Sequence, residues 1–342
     1  MPEITVVITS YNLESYIAGC LDELFGQSFQ DFNILIVDDC SKDRTVLMIR
    51  DYQSNFPGRL RLIEREKNLG SPARTRNAAM DSGFIDGRFV IFLDGDDHLE
   101  PDFLEKLHTA ALRTNADITL CGYDRIDEQT GRVLCTEMTS FPILLHLPPQ
   151  DDSLCFINGS LWNKLIRTDL IGNTRIPDFK VGEDVSFLQA LYAKAVSVAG
   201  VQDVLIHYGV RGGSVISNTQ PETIRAFADE LAQLYQAQRE PVLRENLALL
   251  AFIHIGISMA ARAYDNPSVQ IGEHLRWTRR YLYTQFDGLR TCRFLRLPSL
   301  VRHGVKGYAL YICKLLYKFH CFSLFLFLYR FVRRLLHVDF KF

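Results

Sequence analysis

Residues 89–97, FVIFLDGDD, place five apolar side chains directly before three carboxylates. Asp94 and Asp96 are two positions apart, so both can point the same way where a strand ends. Magnesium and manganese take oxygen ligands, and magnesium commonly combines one or two carboxylates with substrate phosphates. The cluster therefore predicts half of a cation site whose other half is a diphosphate. The structural alternative is a solvated turn in which Asp97 caps the next helix.

The elements that must position these carboxylates alternate between two patterns. Short apolar runs such as ITVVI (4–8), FNILIVDDCS (32–41) and LRLIE (60–64) predict buried strands, and the amphipathic stretches between them predict helices. This alternation is typical of an α/β fold with a mostly parallel, Rossmann-like sheet and helices on both faces. Because ligands bind such sheets at the carboxyl ends of the strands, the polar clusters TSYN, DDCS and DGDD predict a binding site there.

The C-terminal part of the chain has a different character. Helical patterns follow residue 220, and from Arg276 onward the chain has fourteen Lys and Arg but only two acidic residues, although the whole chain has a net charge of -2. The stretch 310–336 is rich in aromatic residues, and its longest run without a charge is too short for a bilayer span of about 20 residues. It predicts a helix lying in the interface of an anionic membrane. The alternatives are packing on the catalytic domain and an oligomer contact.

Other features exclude several classes of protein. The eight cysteines form no CxxC pair and no zinc-like cluster with histidine, which favours reduced thiols in a cytoplasmic setting. The N-terminal strand begins at once, without a basic signal-peptide region before it. TSYNLESY contains no glycine, so neither the Gly-rich loop of a sugar nucleotidyltransferase nor the GxGxxG of a nicotinamide dehydrogenase follows the first strand.

Six short motifs, VVITSYN, VDDCSKD, NLGSPARTRN, FLDGDD, WNKL and GEDVSF, occur in this order along the chain. In their order and spacing the chain resembles the family 2 glycosyltransferases over roughly residues 1–215. The resemblance implies the GT-A nucleotide-sugar fold and inverting transfer of a sugar from a nucleotide-diphosphate donor, with Mn²⁺ or Mg²⁺ as cofactor. We therefore expect a catalytic domain over 1–215, a helical region over 216–300 and a basic, aromatic, membrane-associating tail over 301–342.

The resemblance also implies residues that bind the nucleoside, usually uridine. Thr9 and Tyr11 end the first strand, and the Tyr11 ring is expected to stack on the base, as a flat apolar ring with a polar rim can do. Asp38 and Asp39 end the second strand. We expect Asp39 to accept a hydrogen bond from the pyrimidine N–H, with Asp38 as the second candidate; a turn carboxylate that starts the next helix is the structural alternative.

The diphosphate side is assigned to arginines and aspartates. Arginine recognises phosphate through two parallel hydrogen bonds and stays charged. The family pattern NxGxxxARN has one extra residue here, so that either Arg74 or Arg76 can face the diphosphate, and we favour Arg76. The alternative for both is surface salt bridging. By the same resemblance Asp94 contacts the donor and Asp96 binds the metal ion.

The resemblance places the catalytic base at Asp184 of the Glu183–Asp184 pair. An acceptor hydroxyl must lose a proton as it attacks the anomeric carbon, which requires a carboxylate within hydrogen-bond reach. A carboxylate at a helix N-terminus is also stabilised by the helix dipole, which is the structural alternative. Secondary candidates are Trp162, as a platform for the sugar or the acceptor, and His207 and Arg211, in a segment similar to the family's closing loop.

Together these features predict an inverting, metal-dependent glycosyltransferase that uses a nucleotide-sugar, most commonly a UDP-sugar. Its acceptor is expected to be a hydroxyl of a glycan or a lipid-linked precursor of a surface polysaccharide or lipopolysaccharide. We expect it at the inner face of the cell membrane, held by its tail, with no nucleic-acid partner. The alternatives are a non-catalytic, transferase-like membrane scaffold and a sugar nucleotidyltransferase. The sequence leaves the sugar, the linkage and the oligomeric state open.

Overall fold

The computed structural model of the protein describes residues 1–210 and 219–336, and for Tyr329 and residues 331–336 it describes the backbone alone. The described chain contains a ten-stranded sheet. Its strands are β1 Ile4–Ser10, β2 Phe32–Asp38, β3 Leu60–Glu64, β4 Phe89–Asp94, β5 His98–Leu99, β6 Ile118–Asp127, β7 Val133–Glu137, β8 Leu144–His146, β9 Lys164–Arg167 and β10 Ser197–Val210.

Helices connect and follow these strands. Six belong to the part of the chain that contains the sheet: α1 Ile17–Phe25, α2 Thr45–Asn55, α3 Pro72–Asp81, α4 Phe103–Thr114, α5 Thr168–Ile171 and α6 Glu183–Tyr192. The later helices are α7 Pro221–Ala237, α8 Pro241–Ala251, α9 Ala260–Asp265, α10 Ile271–Gln285, α11 Leu297–Leu300, α12 Gly304–Lys318 and α13 Phe322–Leu336.

The chain divides into two compact units. The first comprises Met1–Leu147 and Asn158–Gly212, and the second comprises Pro148–Ile157 and Gly213–Phe342. The first unit therefore contains the whole sheet. The second unit contains the C-terminal helices and a short segment, 148–157, that the chain contributes from between β8 and β9. The three domain boundaries predicted above stay predictions.

The strand order is β3-β2-β1-β4-β9-β6-β10-β5, with β7 on β6 and β8 on β10. The first four strands are parallel, as the alternation of strands and helices predicts, whereas β9 runs antiparallel between β4 and β6. Beyond β4 the sheet is thus mixed, because the long excursion after β6 brings the chain back in the opposite direction. The predicted α/β class, with a helical C-terminal region, is confirmed.

The parallel half of the sheet is buried on both faces. Ile4, Val6 and Ile8 of β1 belong to a core that α1, α2 and α4 share, and the intervening Val7 is equally buried. Since strand residues alternate between faces, Val7 faces the opposite side, where α3 packs on β1 and β2. The continuous apolar runs in the sequence follow from this double covering.

In the second unit, α8 and α9 join through a π-helical segment, Phe252–Met259, into one helix from Pro241 to Asp265. This helix is long and apolar enough to cross a membrane by length and composition, but 72% of its most apolar window is buried within the protein. A core helix of a soluble domain meets the same criterion.

Candidate active site

The register of the parallel strands brings the predicted polar clusters together at one edge of the sheet. Thr9 of β1 lies opposite Asp94 of β4, and Ser10 lies opposite Asp38 of β2. In a parallel sheet all carboxyl ends meet at the same edge, so three clusters that are far apart in sequence become neighbours. The predicted location of the site depends on this geometry.

The two aspartates at the end of β2, Asp38 and Asp39, differ in their surroundings. Asp38 is buried, and its carboxylate accepts hydrogen bonds from the Ser10 and Ser41 hydroxyls and from the Ser41 backbone N–H. These bonds occupy both oxygens in stabilising the turn. Asp39 is also buried, and its Oδ1 accepts from the Leu69 backbone N–H at 2.6 Å. Of the two, Asp39 has the fewer hydrogen bonds within the turn, which agrees with the preference given to it above.

Tyr11, which follows β1, has an exposed side chain, with 49% of its surface accessible. The turn beside it is fixed by Asn12, whose φ of 54° lies in the left-handed region that asparagine tolerates. The Asn12 N–H donates to the Ser41 hydroxyl, and its side-chain oxygen accepts from the Lys42 N–H. An exposed ring on a fixed turn can form a stacking platform for a nucleobase.

Helix α3 brings a buried cation to the centre of the edge. The helix begins at Pro72, and the Ser71 hydroxyl caps it by accepting from the Arg74 N–H. One turn later Arg76 is buried, and its guanidinium donates to Asp94 Oδ1 at 2.6 Å and to Asp184 Oδ1 at 2.9 Å. Although burial lowers the pKa of Arg76, the charges of Asp184 and Asp94 raise it above its usual value.

Both arginines contact protein carboxylates, whereas the sequence predicts that one of them faces a diphosphate. Arg76 points inward and joins two of the predicted site carboxylates. Arg74 is exposed and forms an ion pair with Asp178, and it also donates to the Leu69 carbonyl oxygen. The extra residue in NLGSPARTRN thus separates a surface arginine from a buried one, and the preference for Arg76 as a phosphate ligand is left without a contact that supports it.

Negative charge exceeds positive charge among the buried groups of this edge. Asp97 is buried, and burial together with the charges of Asp94 and Asp96 raises its pKa well above 3.8. The Asp97 carboxylate accepts from the Asp94 N–H at 3.4 Å, so it also stabilises the turn after β4. This bond is internal to the turn, whereas the predicted alternative was a cap on the next helix. A cation bound at this edge would reduce the repulsion that raises the pKa of Asp97.

The Glu183–Asp184 pair occupies the first turn of α6, after Gly182 with a φ of 90°. Burial raises the pKa of Asp184, while the Arg76 charge opposes this effect and Asp94 adds to it. Burial and the neighbouring Asp184 raise the pKa of Glu183 to about 7. The helix dipole favours the ionised forms here. The pair therefore contains carboxylates whose proton affinity is shifted toward neutral pH, as a general base requires.

The carboxylates of this edge fit a divalent ion only if the phosphates of a bound substrate supply further oxygen ligands. Among residues 1–210 and 219–336, no group of three or more His, Cys, Asp or Glu side chains is arranged to hold a metal ion. The arrangement agrees with the magnesium pattern of one or two carboxylates with substrate phosphates, in which Asp96 is the predicted protein ligand. The excess of carboxylates over cations around Asp97 is consistent with such an ion.

The secondary candidates lie in packed surroundings or outside the described chain. Trp162 is buried, stacks on Tyr208 at 5.6 Å between ring centroids and meets Tyr123 edge-on, so its ring packs against other side chains rather than forming an exposed platform. His207 Nε2 lies 2.9 Å from Glu100 Oε1, so its ring is engaged in a hydrogen bond with that side chain. Arg211 lies outside the described residues.

Sequence reasoning missed one buried group close to these residues. Lys164, the basic residue of WNKL, is fully buried at the start of β9, and its charge acts on Asp184. The motif itself is the available signal, because a lysine that leads directly into an apolar strand is unusual when both faces of the sheet are covered. In the same motif, the aromatic ring of Trp162 gives the more obvious signal, because aromatic rings commonly pack on sugars.

Comparison with known proteins bears on the predicted family. Residues 5–152 match the model of Glycosyl transferase family 2. The chain is 27% identical over 240 residues to glycosyltransferase GlyA of Streptococcus pneumoniae serotype 4, and the match covers 68% of this chain and 34% of GlyA. It is 26% identical over 268 residues to poly(ribitol-phosphate) beta-N-acetylglucosaminyltransferase TarS of Staphylococcus aureus, covering 72% of this chain and 44% of TarS. The chain thus spans less than half the length of these two relatives.

The fold resembles a solved structure as well. The crystal structure of S. aureus TarS 1-349 in complex with UDP-GlcNAc matches with a TM-score of 0.65 at 20% identity, over 85% of this chain and 90% of that one. At this identity the match establishes the fold. The match of the family model supports the predicted family over residues 5–152.

Proposed function

The chain carries a family 2 glycosyltransferase domain, and from that premise we propose that it transfers a sugar, with inversion, from a UDP-sugar to a hydroxyl of a cell-envelope glycan or its lipid-linked precursor. The observation that carries the proposal is the double ion pair of Arg76, which joins the carboxylate at the end of β4 to one at the start of α6. Donor-side and acceptor-side groups of a transfer reaction must be this close, because one bond forms as another breaks.

In the proposed reaction the donor's nucleoside lies at the ends of β1 and β2. Tyr11 offers its exposed ring to the uracil, and Asp39 accepts from the ring N–H beside Thr9. The uridine assignment is supported by TarS, which was solved with UDP-GlcNAc and with UDP. The diphosphate then lies toward Asp94 and Asp96 at the end of β4, the neighbouring strand.

The chemistry of the transfer requires one base. The acceptor oxygen forms a bond to the anomeric carbon from the side opposite the diphosphate, and the bond from that carbon to the diphosphate oxygen breaks with its electron pair. The acceptor proton passes to the Asp184 carboxylate. Arg76 holds the Asp184 carboxylate by donating a hydrogen bond to Oδ1, and the ion pair favours the ionised, proton-accepting form.

A divalent ion, Mn²⁺ or Mg²⁺, held by Asp96 with the diphosphate oxygens, would supply charge stabilisation for the leaving nucleoside diphosphate. Its assignment is supported by the surplus of buried carboxylates at this edge. A structural relative of similar fold, a mannosyltransferase of Pyrobaculum calidifontis, was solved with GDP-Man and Mn²⁺, at a TM-score of 0.53.

The envelope acceptor and the place of action rest on the relatives and on the C-terminal helices. TarS acts on poly(ribitol-phosphate), according to its name. In this chain α12 exposes Val305, Tyr308 and Ile312, with 85%, 51% and 51% of their surfaces accessible. Apolar side chains at this spacing line one face of a helix, and with basic residues beside them they suit the interface of an anionic membrane. Association with the inner face of the cell membrane is therefore part of the proposal.

A panel of nucleotide sugars tests the donor and the metal together. We expect a UDP-sugar with Mn²⁺ to raise the melting temperature and to be hydrolysed slowly in the absence of acceptor, with inversion at the anomeric carbon. Asp96→Ala should abolish the Mn²⁺-dependent part of donor binding, whereas Asp51→Ala, an exposed residue of α2, should leave it unchanged. The metal assignment would be contradicted if Asp96→Ala bound the donor with wild-type affinity whether or not Mn²⁺ was present.

A further inference from the structure

The buried ammonium of Lys164 sits in a cage of four oxygen atoms. Its Nζ lies 2.6 Å from the Ser160 carbonyl oxygen and 2.8 Å from the Asn163 side-chain oxygen. The carbonyl and side-chain oxygens of Asn158 lie at 2.9 and 2.8 Å. An ammonium has three hydrogens, so the four neutral oxygens share them. The cage therefore makes Lys164 an internal cation around which the turn 158–163 is folded.

The cage is tied to the sheet on one side. The Asn163 side-chain amide donates to the Cys121 carbonyl oxygen of β6 at 2.8 Å. The amides of Asn158 and Asn163 also exchange hydrogen bonds with each other. The turn is thus fixed relative to β6 and β9 by side chains that all converge on the lysine.

On its other side the turn abuts the helix that carries Asp184. A Cβ added to Gly159 would lie 2.3 Å from Cγ2 of Val185, so the backbone of the turn and the first turn of α6 are in close contact. Val185 directly follows Asp184. Glycine is required here for close approach, and Val185 links the turn to the neighbouring carboxylate of Asp184.

Holding a cation at this depth is unfavourable in itself. Burial lowers the pKa of Lys164 to about 7, and the negative charge of Asp184 in α6 opposes this effect. In return Lys164 lowers the pKa of Asp184, as Arg76 does, while burial and Asp94 raise it. A methionine would fill a similar volume without the cost of burying a charge. The lysine thus supplies something that packing alone does not.

We propose that Lys164 is a positioning residue for glycosyl transfer: its caged ammonium holds the turn 158–163 against the first turn of α6 and thereby sets the position and ionisation of the Asp184 carboxylate. The proposal rests on the function proposed above for Asp184. Lys164 itself is buried behind the turn and does not touch the substrates in this role. Its loss should therefore impair the chemical step more than donor binding.

The first test is Lys164→Met, measured by steady-state transfer over a range of pH. We expect kcat to fall about 10- to 100-fold, as small displacements of catalytic groups can cause, with the donor KM within about threefold. The acidic limb of the kcat profile should move to higher pH, because Asp184 loses a neighbouring positive charge. Lys194→Met, an exposed lysine at the end of α6, is the matched control and should behave as wild type.

Two results with Lys164→Met would overturn the proposal. One is an unchanged kcat with an unchanged acidic limb. The other is a loss of activity that equals the loss of folded protein, with the acidic limb of the kcat profile at its wild-type pH. A purely structural lysine would give this result. Combining Lys164→Met with Asp184→Asn adds a further check. If the lysine acts through Asp184, its removal should change the residual activity of Asp184→Asn by less than about twofold.

A second variant keeps the lysine cage and tests the contact with α6, in case Lys164→Met does not fold. Gly159→Ala should reduce kcat about tenfold, because the new methyl collides with Val185 and must displace the first turn of α6. Gly159→Ala with Val185→Ala should recover most of the loss, since the second change removes the colliding atoms. Wild-type kcat in Gly159→Ala, or failure of the double variant to recover, would contradict the proposal.

These tests separate this inference from the proposed function. Turnover of a UDP-sugar by the wild-type protein, and its loss in Asp184→Asn, decide the proposed function. The ratio between wild type and the Lys164 and Gly159 variants decides the present inference. If wild type transfers sugar and Asp184→Asn is as active as wild type, the function stands on another base and the positioning role of Lys164 is refuted.

Discussion

The carboxyl edge of the sheet and the C-terminal helix α12 depart from the usual distribution of residues in opposite ways. The edge buries groups that proteins normally expose, namely Asp97, Arg76 and Lys164. The helix exposes groups that proteins normally bury, among them Val305 and Ile312. Burying a charge and exposing apolar surface both cost stability, so each departure points to a requirement other than folding.

The two departures imply different kinds of ligand. At the edge the charges are paired across elements, and the surplus is negative, which suits small ions and polar substrates that enter a preformed site. On α12 the exposed side chains form a stripe at i, i+3 and i+7, opposite the buried Leu310, Cys313 and Tyr317. A stripe of this kind suits a broad apolar surface. Changes at the edge should therefore affect chemistry, and changes on α12 should affect location.

The largest expected effect belongs to the base. Asp184→Asn removes the proton acceptor while nearly preserving size and the hydrogen bond from Arg76, so kcat should fall by about 10²- to 10⁴-fold, the range typical of general base catalysis. UDP binding, measured by calorimetry, should change less than about threefold because Asp184 makes no contact with the nucleoside in the proposed reaction.

Asp169→Asn, an exposed position in the same unit, is the control and should retain wild-type kcat. Loss of UDP binding in Asp184→Asn, with kcat reduced only in proportion, would show a structural carboxylate. Retained kcat would show that Asp184 is not the base. The buried charges of the edge would then lack the catalytic role proposed for them.

A second prediction uses the two arginines of α3 to compare a buried ion pair with an exposed one. Arg76→Met leaves Asp94 and Asp184 without their shared cation, and breaking a buried pair in this way typically costs about 3–5 kcal/mol of stability. Arg74→Met removes an exposed pair with Asp178, which should cost less than about 1 kcal/mol. Urea unfolding of both variants gives the two values.

The comparison depends on which of the two variants loses more stability. Equal, small losses would mean that Arg76 is not buried as the structure has it, and that it is available for the diphosphate as the sequence suggested. A large loss in Arg76→Met together with wild-type kcat in the remaining folded protein would limit Arg76 to a structural role. Either outcome would weaken the double ion pair as the observation that carries the proposed function.

How far the sequence predicts this site depends on whether a residue acts locally or across the fold. Strands and helices up to Asp94 follow from local patterns of apolar residues, and the edge follows from the rule for parallel sheets. That Asp38 is bonded to Ser10, whereas Asp39 is bonded to Leu69, depends on chain segments about 30 residues apart. No local pattern contains this information.

The same distinction explains Arg76 and Trp162. An arginine in a motif implies phosphate because arginine commonly binds it, yet here two carboxylates from β4 and α6 are its partners. A tryptophan in a motif implies a sugar platform, yet Tyr208 and Tyr123 cover the ring. Residue type indicates what a side chain can bind, and only the fold determines which partner lies in contact with it.

The smallest expected effect belongs to α12 and concerns location alone. Replacing Val305, Tyr308 and Ile312 by serine together removes apolar area from the exposed stripe, at about 25 cal/mol per Å² of surface that a bilayer would bury. Binding to vesicles that contain anionic lipid should weaken by at least about tenfold, as measured by flotation, since the burial of three side chains contributes well over 1.4 kcal/mol. The kcat for a soluble acceptor should stay at the wild-type value.

The control replaces a scattered exposed residue, Leu112 of α4, by serine, and this variant should float with vesicles as the wild type does. Addition of salt separates the two contributions, because the charge attraction of the basic residues is screened while the apolar contribution persists. If the triple variant floats undiminished, α12 is not the membrane contact. If the triple variant also loses kcat, the exposed stripe contributes to activity. The carboxyl edge and α12 would then not have separate roles in chemistry and in location.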